Sequence, residues 1–226
     1  MSMHTQALIF DMDGTMIDSM AYHAQSWVTF VQRHGIVIDV DELMRSTTGR
    51  TGAECMEVLF GRPIDKQEAW ALIHEKEQIY RDLFEPAFAE VRGFKRFCAQ
   101  AHASGLRIGV GTAGDKHNIA FAMRHLQMDP LPHAIVGGDE GLPGKPEPAI
   151  FLEAARRIGA DPQACIVFED APFGIEAARR AGMKAVAVCT SHSAVQLAGD
   201  HVIATIRHYE ELIDNQFLET LHARTT

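Results

Sequence analysis

Long apolar runs are absent from this sequence of 226 residues. None approaches the roughly 20 residues that a membrane-spanning helix needs. The first residues, MSMHTQ, also lack the basic and apolar regions of a signal peptide. We therefore expect a cytoplasmic protein with no membrane partner. Cysteine is scarce, and the four cysteines are far apart and form no CxxC pair. This spacing argues against a disulfide framework and a zinc site, so we expect the cysteines to fill small spaces in the core.

Positive charge is also in deficit, because 21 Lys and Arg residues face 30 Asp and Glu residues, for a formal net charge of -9. No basic block and no interleaved series of aromatic residues offsets this balance. These features argue against nonspecific binding to nucleic acid as a function. An acidic protein that handles an anionic small molecule needs a local positive centre. No pattern in the sequence sets an oligomeric state.

The stretch Ala7 to Asp18, with the sequence ALIFDMDGTMID, organises the rest of the chain. Its first four residues form a short apolar run that is typical of a strand buried on both faces. Asp11 and Asp13 follow, and side chains two apart in extended backbone point the same way. Gly14 allows a sharp turn, and the Thr15 hydroxyl is expected to hydrogen-bond to the backbone of that turn. The pattern predicts two carboxylates at the carboxyl end of a strand, where open α/β sheets bind ligands.

These acids admit two other interpretations. A calcium loop requires Gly at its sixth position and Glu at its twelfth, where this chain has Met16 and Tyr22, so that interpretation fails. A pair of surface turn acids stays open on this stretch alone, because Asp and Gly are ordinary turn residues.

Residues 19–89 show helical patterns and no convincing strand. We expect helices at Met20–His34, around Asp41–Arg45, at Gly52–Phe60 and at Glu68–Phe84, with a break at Gly61–Pro63. This block is a candidate inserted domain.

From Gly93 onward, helices and strands alternate, which predicts a doubly wound parallel α/β sheet formed by residues 1–18 and 90–226. The predicted strands after the first are Arg107–Gly111, His133–Val136, Cys165–Phe168, Ala185–Val188 and His201–Ile203. The predicted helices are Gly93–Ser104, Lys116–Leu126, Pro148–Ile158, Gly174–Ala181 and His208–Asp214.

Polar residues follow several of these strands. Thr112 and Ala113 form a turn that can hold an anion, and Glu169 and Asp170 directly follow an apolar strand. Lys145 lies in a loop with three prolines. If the side chains of Asp11, Asp13, Glu169 and Asp170 share one cleft, repulsion between each pair of carboxylates near 4 Å costs on the order of 4 kcal/mol at an effective dielectric of 20. One lysine cannot neutralise them, so the pattern predicts a divalent cation, and all-oxygen ligands favour Mg²⁺.

A competing motif lies in the same region. Gly109 to Gly114, GVGTAG, matches the G-x-G-x-x-G pattern of dinucleotide-binding proteins, with Asp139 at a suitable distance. It lies mid-chain, its first glycine falls inside a predicted strand, and it leaves Asp11, Asp13, Lys145 and Asp170 unexplained. A noncatalytic nucleotide-binding module is therefore the alternative outside the enzymes.

Four ordered motifs resemble those of the haloacid dehalogenase superfamily: DMDGT at Asp11–Thr15, Thr112 in GVGTAG, Lys145 in GKPEP, and Glu169–Asp170 in FEDAPFGIEAA. The resemblance implies that Asp11 is the nucleophile that forms an aspartyl-phosphate. It implies that Asp13 is the general acid and base and gives its backbone carbonyl to the metal. Asp170 is then a Mg²⁺ ligand, with Glu169 contributing directly or through water. Thr112, Ala113 and Lys145 orient the phosphoryl group. An acid at Asp13 implies phosphoryl transfer over dehalogenation.

The helical block matches the cap domain of this superfamily. The segment DGTMIDSMAYHAQSW is similar to the sugar-phosphate phosphatase and β-phosphoglucomutase group, in which residues at the positions of His23 and Lys76 face the substrate. Lys76 lies on an apolar helical face, so an alternative interpretation is that its stem packs on this face while its amine reaches water. Mutases carry a cap arginine for the distal phosphate, but here Gly52 takes that position and Arg50 lies two residues earlier. This departure favours a magnesium-dependent sugar-phosphate phosphatase, with a β-phosphoglucomutase as the alternative.

Overall fold

The computed structural model of the chain describes residues 5–39, 42–43 and 52–223. Its strands are β1 (Ala7–Phe10), β2 (Arg107–Gly111), β3 (Ala134–Val136), β4 (Cys165–Glu169), β5 (Lys184–Val188) and β6 (Val202–Ile206). Its main helices are α1 (Met20–Arg33), α2 (Gly52–Phe60), α3 (Lys66–Phe84), α4 (Phe94–Ala103), α5 (Lys116–Leu126), α6 (Ala149–Ile158), α7 (Pro172–Arg180), α8 (Glu210–Asp214) and α9 (Phe217–Ala223). The helices within these ranges are too short or too polar to span a membrane.

The six strands form one sheet in the order β3-β2-β1-β4-β5-β6, and every neighbouring pair is parallel. The predicted doubly wound α/β fold is therefore confirmed. The chain builds outward from β1 to one edge through β2 and β3, and then returns to β4 on the other side of β1. This reversal creates a switch point between β1 and β4, where ligands bind in folds of this type.

Helices cover both faces of the sheet, which explains why β1 is fully buried and reads as a continuous apolar run. Ile9 belongs to a core that includes Phe151 and Ile158 of α6. Phe10 packs on the opposite face, where its ring stacks on Phe168 at 4.6 Å between ring centroids. Alternating side chains thus anchor β1 from both sides and fix the position of the residue that follows it.

The chain divides into two compact units, of which Ser19–Phe88 is one and the residues before and after it are the other. The described part of Ser19–Phe88 consists of helices and their connections, with a core that includes Phe30, Met56 and Ile79. Asp65 caps α3, because its carboxylate accepts hydrogen bonds from the backbone N–H groups of Gln67 and Glu68.

Most predicted elements agree with the structure to within one or two residues. Helix α7 begins at Pro172 rather than Gly174, because proline is well tolerated in the first turn of a helix. Strand β6 extends to Ile206, and the sequence interpretation missed α9. Of the predicted helical stretch Asp41–Arg45, Glu42 and Leu43 are helical, and the other three residues lie outside the described ranges.

Candidate active site

Asp11 is the first residue after β1, at the switch point of the sheet. Its backbone N–H donates to the carbonyl of Phe168 at 3.0 Å, which extends the pairing of β1 with β4 by one residue. Its carboxylate is buried, and Oδ1 accepts a hydrogen bond from Nζ of Lys145 at 2.5 Å. Gly14 has a φ angle of 77°, so it supplies the left-handed backbone that the following turn needs. The strand and the turn thus hold the Asp11 carboxylate against a single cation.

Glu169 ends β4, and Asp170 follows it on the other side of the switch point. Both side chains are buried, at 2% exposure each. Oε2 of Glu169 accepts a hydrogen bond from the backbone N–H of Asp170 at 2.8 Å, and Oε1 accepts one from Lys145 at 3.2 Å. Lys145 therefore bridges Asp11 and Glu169, from a loop far away in the sequence.

The carboxylate of Glu169 fills the space next to Gly174 in α7. A Cβ atom built on Gly174 would lie 1.5 Å from Oε1 of Glu169. The Glu169 carboxylate can therefore lie where it does only because residue 174 has no side chain.

Burial changes the protonation of these acids in the metal-free protein. Burial is the largest cause that raises the pKa of Asp11 to about 8, and Lys145 opposes it. Burial likewise raises the pKa of Glu169 to about 7 and that of Asp170 to about 7. Burial alone would lower the pKa of Lys145, but Asp11 and Glu169 together raise it above its ordinary value. One cation is insufficient to keep three buried carboxylates ionised.

The donor set fits a hard divalent cation. One carboxylate oxygen from each of Asp11, Glu169 and Asp170 lies within 4.8 Å of the others, and all three side chains are buried. Throughout the described ranges, this is the one such group of His, Cys, Asp or Glu side chains. Oxygen ligands of this kind suit Mg²⁺, and a dication supplies the positive charge that Lys145 alone does not.

Asp13 lies beside this group but is not one of its three members. The residue is half-buried, and its charge contributes to the raised pKa of Asp11, which places the two carboxylates close together. The expected hydrogen bond of the Thr15 hydroxyl to the turn is wrong, because this buried hydroxyl has no partner in the described part of the chain. The backbone N–H of Thr15 donates to Met12 instead.

Thr112 and Ala113 follow β2 at the same edge of the sheet. The Thr112 side chain is buried, and its hydroxyl oxygen accepts a hydrogen bond from the backbone N–H of Gly114 at 2.9 Å. Because that oxygen accepts there, the hydroxyl proton can be donated to another acceptor, such as a phosphate oxygen. Ala113 is exposed, and its carbonyl lies against Gly138, where an added Cβ atom would approach it to 2.1 Å.

The glycines of the GVGTAG motif are explained by packing. Gly109 and Gly111 lie within β2, under helix α6. A Cβ atom on Gly111 would lie 3.0 Å from the ring of Phe151, and one on Gly109 would lie 3.4 Å from Ile158. The absence of a side chain at Gly111 lets the helix approach the strand closely, whereas a Cβ atom at Gly109 would make a contact close to the ordinary distance. Asp139, the other element of the dinucleotide pattern, is exposed.

In the helical unit, Lys76 is buried at 3% exposure. Its Nζ lies 3.0 Å from Nδ1 of His23 and 2.9 Å from Oε1 of Glu77. The ring of His23 stacks on Tyr80 with 3.7 Å between centroids. The alternative in which the Lys76 amine reaches water is therefore wrong. Arg50, the third predicted cap residue, lies outside the described residues.

Sequence reasoning missed the polar loop Thr190–His192 that follows β5. Thr190 donates a hydrogen bond to the carbonyl of Gly14, and Ser191 donates one to the carboxylate of Asp170. The signal available in the sequence was the run Thr-Ser-His, which begins two residues after the apolar strand β5 ends, at the same sheet edge as Asp11 and Asp170.

Comparison with known proteins relates this arrangement to one family. The family model of haloacid dehalogenase-like hydrolases matches residues 5–182. A validoxylamine A 7'-phosphate phosphatase from Streptomyces hygroscopicus subsp. limoneus is 32% identical over 203 residues, covering 86% of this chain and 91% of that protein. The Escherichia coli fructose-1-phosphate phosphatase YqaB is 32% identical and covers 80% of this chain and 95% of its own length.

A mutase is also among the similar proteins. The β-phosphoglucomutase of Bacillus subtilis is 33% identical and covers 81% of this chain and 83% of its own length. Among solved structures, a family IA hydrolase from Entamoeba histolytica superposes with a TM-score of 0.85 at 24% identity, covering 96% of this chain and 99% of its own. This structural similarity concerns the fold.

Proposed function

Because the chain belongs to the haloacid dehalogenase-like hydrolases and is a phosphoric monoester hydrolase, we propose that it is a magnesium-dependent phosphatase for a small sugar phosphate. One observation carries this proposal. The buried carboxylate of Asp11 lies at the switch point of the sheet, 2.5 Å from Lys145 and in one group with Glu169 and Asp170.

In the proposed reaction, a carboxylate oxygen of Asp11 attacks the phosphorus of the ester and forms an aspartyl-phosphate. The bond from phosphorus to the leaving oxygen breaks, and the carboxyl group of Asp13 gives its proton to that oxygen. Water then attacks the phosphorus of the aspartyl-phosphate and gives a proton to the Asp13 carboxylate. Cleavage of the phosphorus–oxygen bond to Asp11 releases inorganic phosphate and restores both aspartates.

The surrounding residues hold the phosphoryl group while its charge redistributes. Lys145, fixed by Asp11 and Glu169, directs positive charge at the phosphate oxygens. Thr112 donates its hydroxyl proton, and the exposed turn at Ala113 offers its backbone N–H group. Glu169 and Asp170, together with Asp11, would hold Mg²⁺, as would the backbone carbonyl of Asp13. When bound, Mg²⁺ supplies the charge that keeps the carboxylates ionised and accepts a phosphate oxygen.

The helical unit supports a substrate with one phosphate. The buried amine of Lys76 lies 2.9 Å from the carboxylate of Glu77, so the positive charge of Lys76 already has an acidic partner. An amine paired in this way suits the hydroxyl groups of a sugar better than a second phosphate dianion. We therefore propose that His23, Lys76 and Arg50 select the sugar portion of the substrate.

The proposal is tested by a phosphate-release screen. The purified protein is given a panel of sugar phosphates and other small phosphate esters, with Mg²⁺ and with a chelator in its place, and Asp11→Asn serves as the catalytic control. We expect release from one or a few sugar phosphates, only with Mg²⁺ and only by the unmutated protein. Equal release in the presence of the chelator, or no release from any ester, would contradict the proposal.

A β-phosphoglucomutase is the second candidate, and the similarity to the B. subtilis mutase favours it. The two are distinguished by supplying β-glucose 1-phosphate together with a bisphosphate primer. A phosphatase accumulates inorganic phosphate, whereas a mutase accumulates glucose 6-phosphate. We expect inorganic phosphate because of the paired Lys76.

A further inference from the structure

The loop that follows β5 connects two parts of the active site. Thr190 donates its hydroxyl proton to the carbonyl of Gly14, in the turn after Asp11 and Asp13. Ser191 donates to the carboxylate oxygen Oδ2 of Asp170, and its Oγ also lies 3.1 Å from the Asp170 carbonyl. Consecutive residues of one short loop thus contact both segments that supply the acids.

His192 extends these contacts. Its Nδ1 lies 2.9 Å from the carbonyl of Asp170 and 2.8 Å from Oγ of Ser191. A carbonyl oxygen only accepts, so Nδ1 of His192 carries the proton in this arrangement. The Ser191 oxygen can accept that proton while its own proton goes to the Asp170 carboxylate. The Ser191 hydroxyl is therefore held with its donor directed at Asp170.

Asp170 is the first residue after β4 and is only 2% exposed, so little water reaches its carboxylate. For this reason its carboxylate needs an orienting group from the protein. Buried away from water, it depends on protein donors to fix the rotation of the carboxylate about its last side-chain bond. A donor fixed by a second residue reduces the number of orientations open to a metal ligand, and the loss of such an outer partner typically weakens metal affinity about ten- to a hundredfold.

We propose that Ser191 is a positioning residue that orients the Asp170 carboxylate for binding of a divalent cation. The inference rests on the proposed function, because it requires Mg²⁺ at the group formed by Asp11, Glu169 and Asp170. It assigns to the loop after β5 a part in metal affinity that Ser191 exerts through Asp170 and not as a metal ligand itself.

The experiment compares Ser191→Val with Ser191→Thr, two variants of the same shape that differ in the presence of the hydroxyl. Ser193→Ala is the matched control, because the Ser193 hydroxyl lies in the same loop and bonds to Gln196 instead. The dissociation constant for Mg²⁺ is measured by calorimetry on metal-free protein, and the Mg²⁺ concentration for half-maximal phosphate release is measured in parallel. Melting of the metal-free variants checks the fold, and Ser191→Ala replaces Ser191→Val if the latter does not fold.

We expect Ser191→Val to weaken Mg²⁺ binding about ten- to a hundredfold and to raise the activating Mg²⁺ concentration by the same factor. Ser191→Thr should stay within about threefold of the unmutated protein, and Ser193→Ala should match it. Equal Mg²⁺ affinity in the Val and Thr variants would overturn the inference and leave the proposed phosphatase intact. An unmutated protein that neither binds Mg²⁺ nor releases phosphate would overturn the proposed function and this inference with it.

Discussion

Glu169 shows how one residue can depend on the absence of a side chain in another. Its carboxylate joins Lys145 to the backbone of Asp170 and fills the space beside Gly174. Alanine is favoured over glycine inside a helix by about 1 kcal/mol, so local propensity alone would prefer it at residue 174. The steric requirement of the site therefore opposes the preference of helix α7.

We expect Gly174→Ala to lower the free energy of unfolding by about 1–3 kcal/mol, because its Cβ atom must displace the Glu169 carboxylate. Urea unfolding measures this change. Gly144→Ala is the control, since a Cβ atom at Gly144 would meet no atom within 4 Å. A Gly174→Ala variant as stable as the control would show that Glu169 can move without cost.

Site residues could be predicted from the sequence where a charged side chain stands in a place that a purely structural role would fill with an apolar one. Charged residues directly after buried strands, such as Asp11 and Asp170, stand out in the sequence because a charge there needs a partner. Ser191 does not stand out, because serine is an ordinary loop residue and only the packing of the β5 loop brings it to Asp170. The Thr15 hydroxyl, which is buried and has no partner among the described residues, was equally hidden, since the sequence does not give the direction of a side chain in a tight turn.

At the scale of elements, β2 and α6 form a close contact that explains the glycines between them. Phe151 of α6 lies over Gly111, and its ring centroid is 4.8 Å from Nζ of Lys145. The packing of this helix on this strand therefore also supports the lysine of the active site.

We expect Gly111→Ala to destabilise the protein by about 1–3 kcal/mol, because its Cβ atom would press on the Phe151 ring within a packed core. Gly109→Ala is a matched control in the same strand, since its Cβ atom would meet Ile158 at 3.4 Å, close to an ordinary contact distance. Chemical denaturation of both variants gives the comparison. Equal stability of the two variants would contradict the packing explanation of the GVGTAG motif.

The elements themselves were largely predictable because each leaves a periodic pattern. Strands buried on both faces appear as apolar runs, and helix α5 was predicted with the bounds that the structure has. Helix α9 was missed, because seven residues give only two turns of pattern and the left-handed Gln216 before it carries no recognisable signal. The extent of β6 was also underestimated, since this edge strand is only partly buried and its sequence, VIATI, is not a continuous apolar run.

At the scale of the whole molecule, an acidic chain concentrates three carboxylates in one buried place. In the metal-free protein, Asp11, Glu169 and Asp170 have pKa values of about 8, 7 and 7, because burial disfavours their charge. The unfolded chain releases these protons near pH 4. Between about pH 4 and pH 8, the folded state thus binds more protons than the unfolded state, so these groups make the free energy of unfolding fall as pH rises.

A bound dication removes this penalty, so its stabilising effect should grow with pH. We expect saturating Mg²⁺ to raise the melting temperature more at about pH 8 than at about pH 5.5, where protons compete for the carboxylates. Thermal melting at both pH values, with NaCl of matched ionic strength as the control, measures the effect. An equal rise at both pH values would contradict binding of Mg²⁺ and protons to the same three carboxylates.

It stays a prediction that the helical unit Ser19–Phe88 acts as a cap for the group formed by Asp11, Glu169 and Asp170.

The most direct test of the central claim is phosphate release by Asp11→Asn. The variant keeps the shape of the side chain and removes the carboxylate nucleophile, so we expect the turnover number with Mg²⁺ and the best ester to fall by at least about a thousandfold. The melting temperature should show that the variant is folded. If folded Asp11→Asn releases phosphate at a rate near that of the unmutated protein, Asp11 is not the nucleophile and the proposed mechanism is wrong.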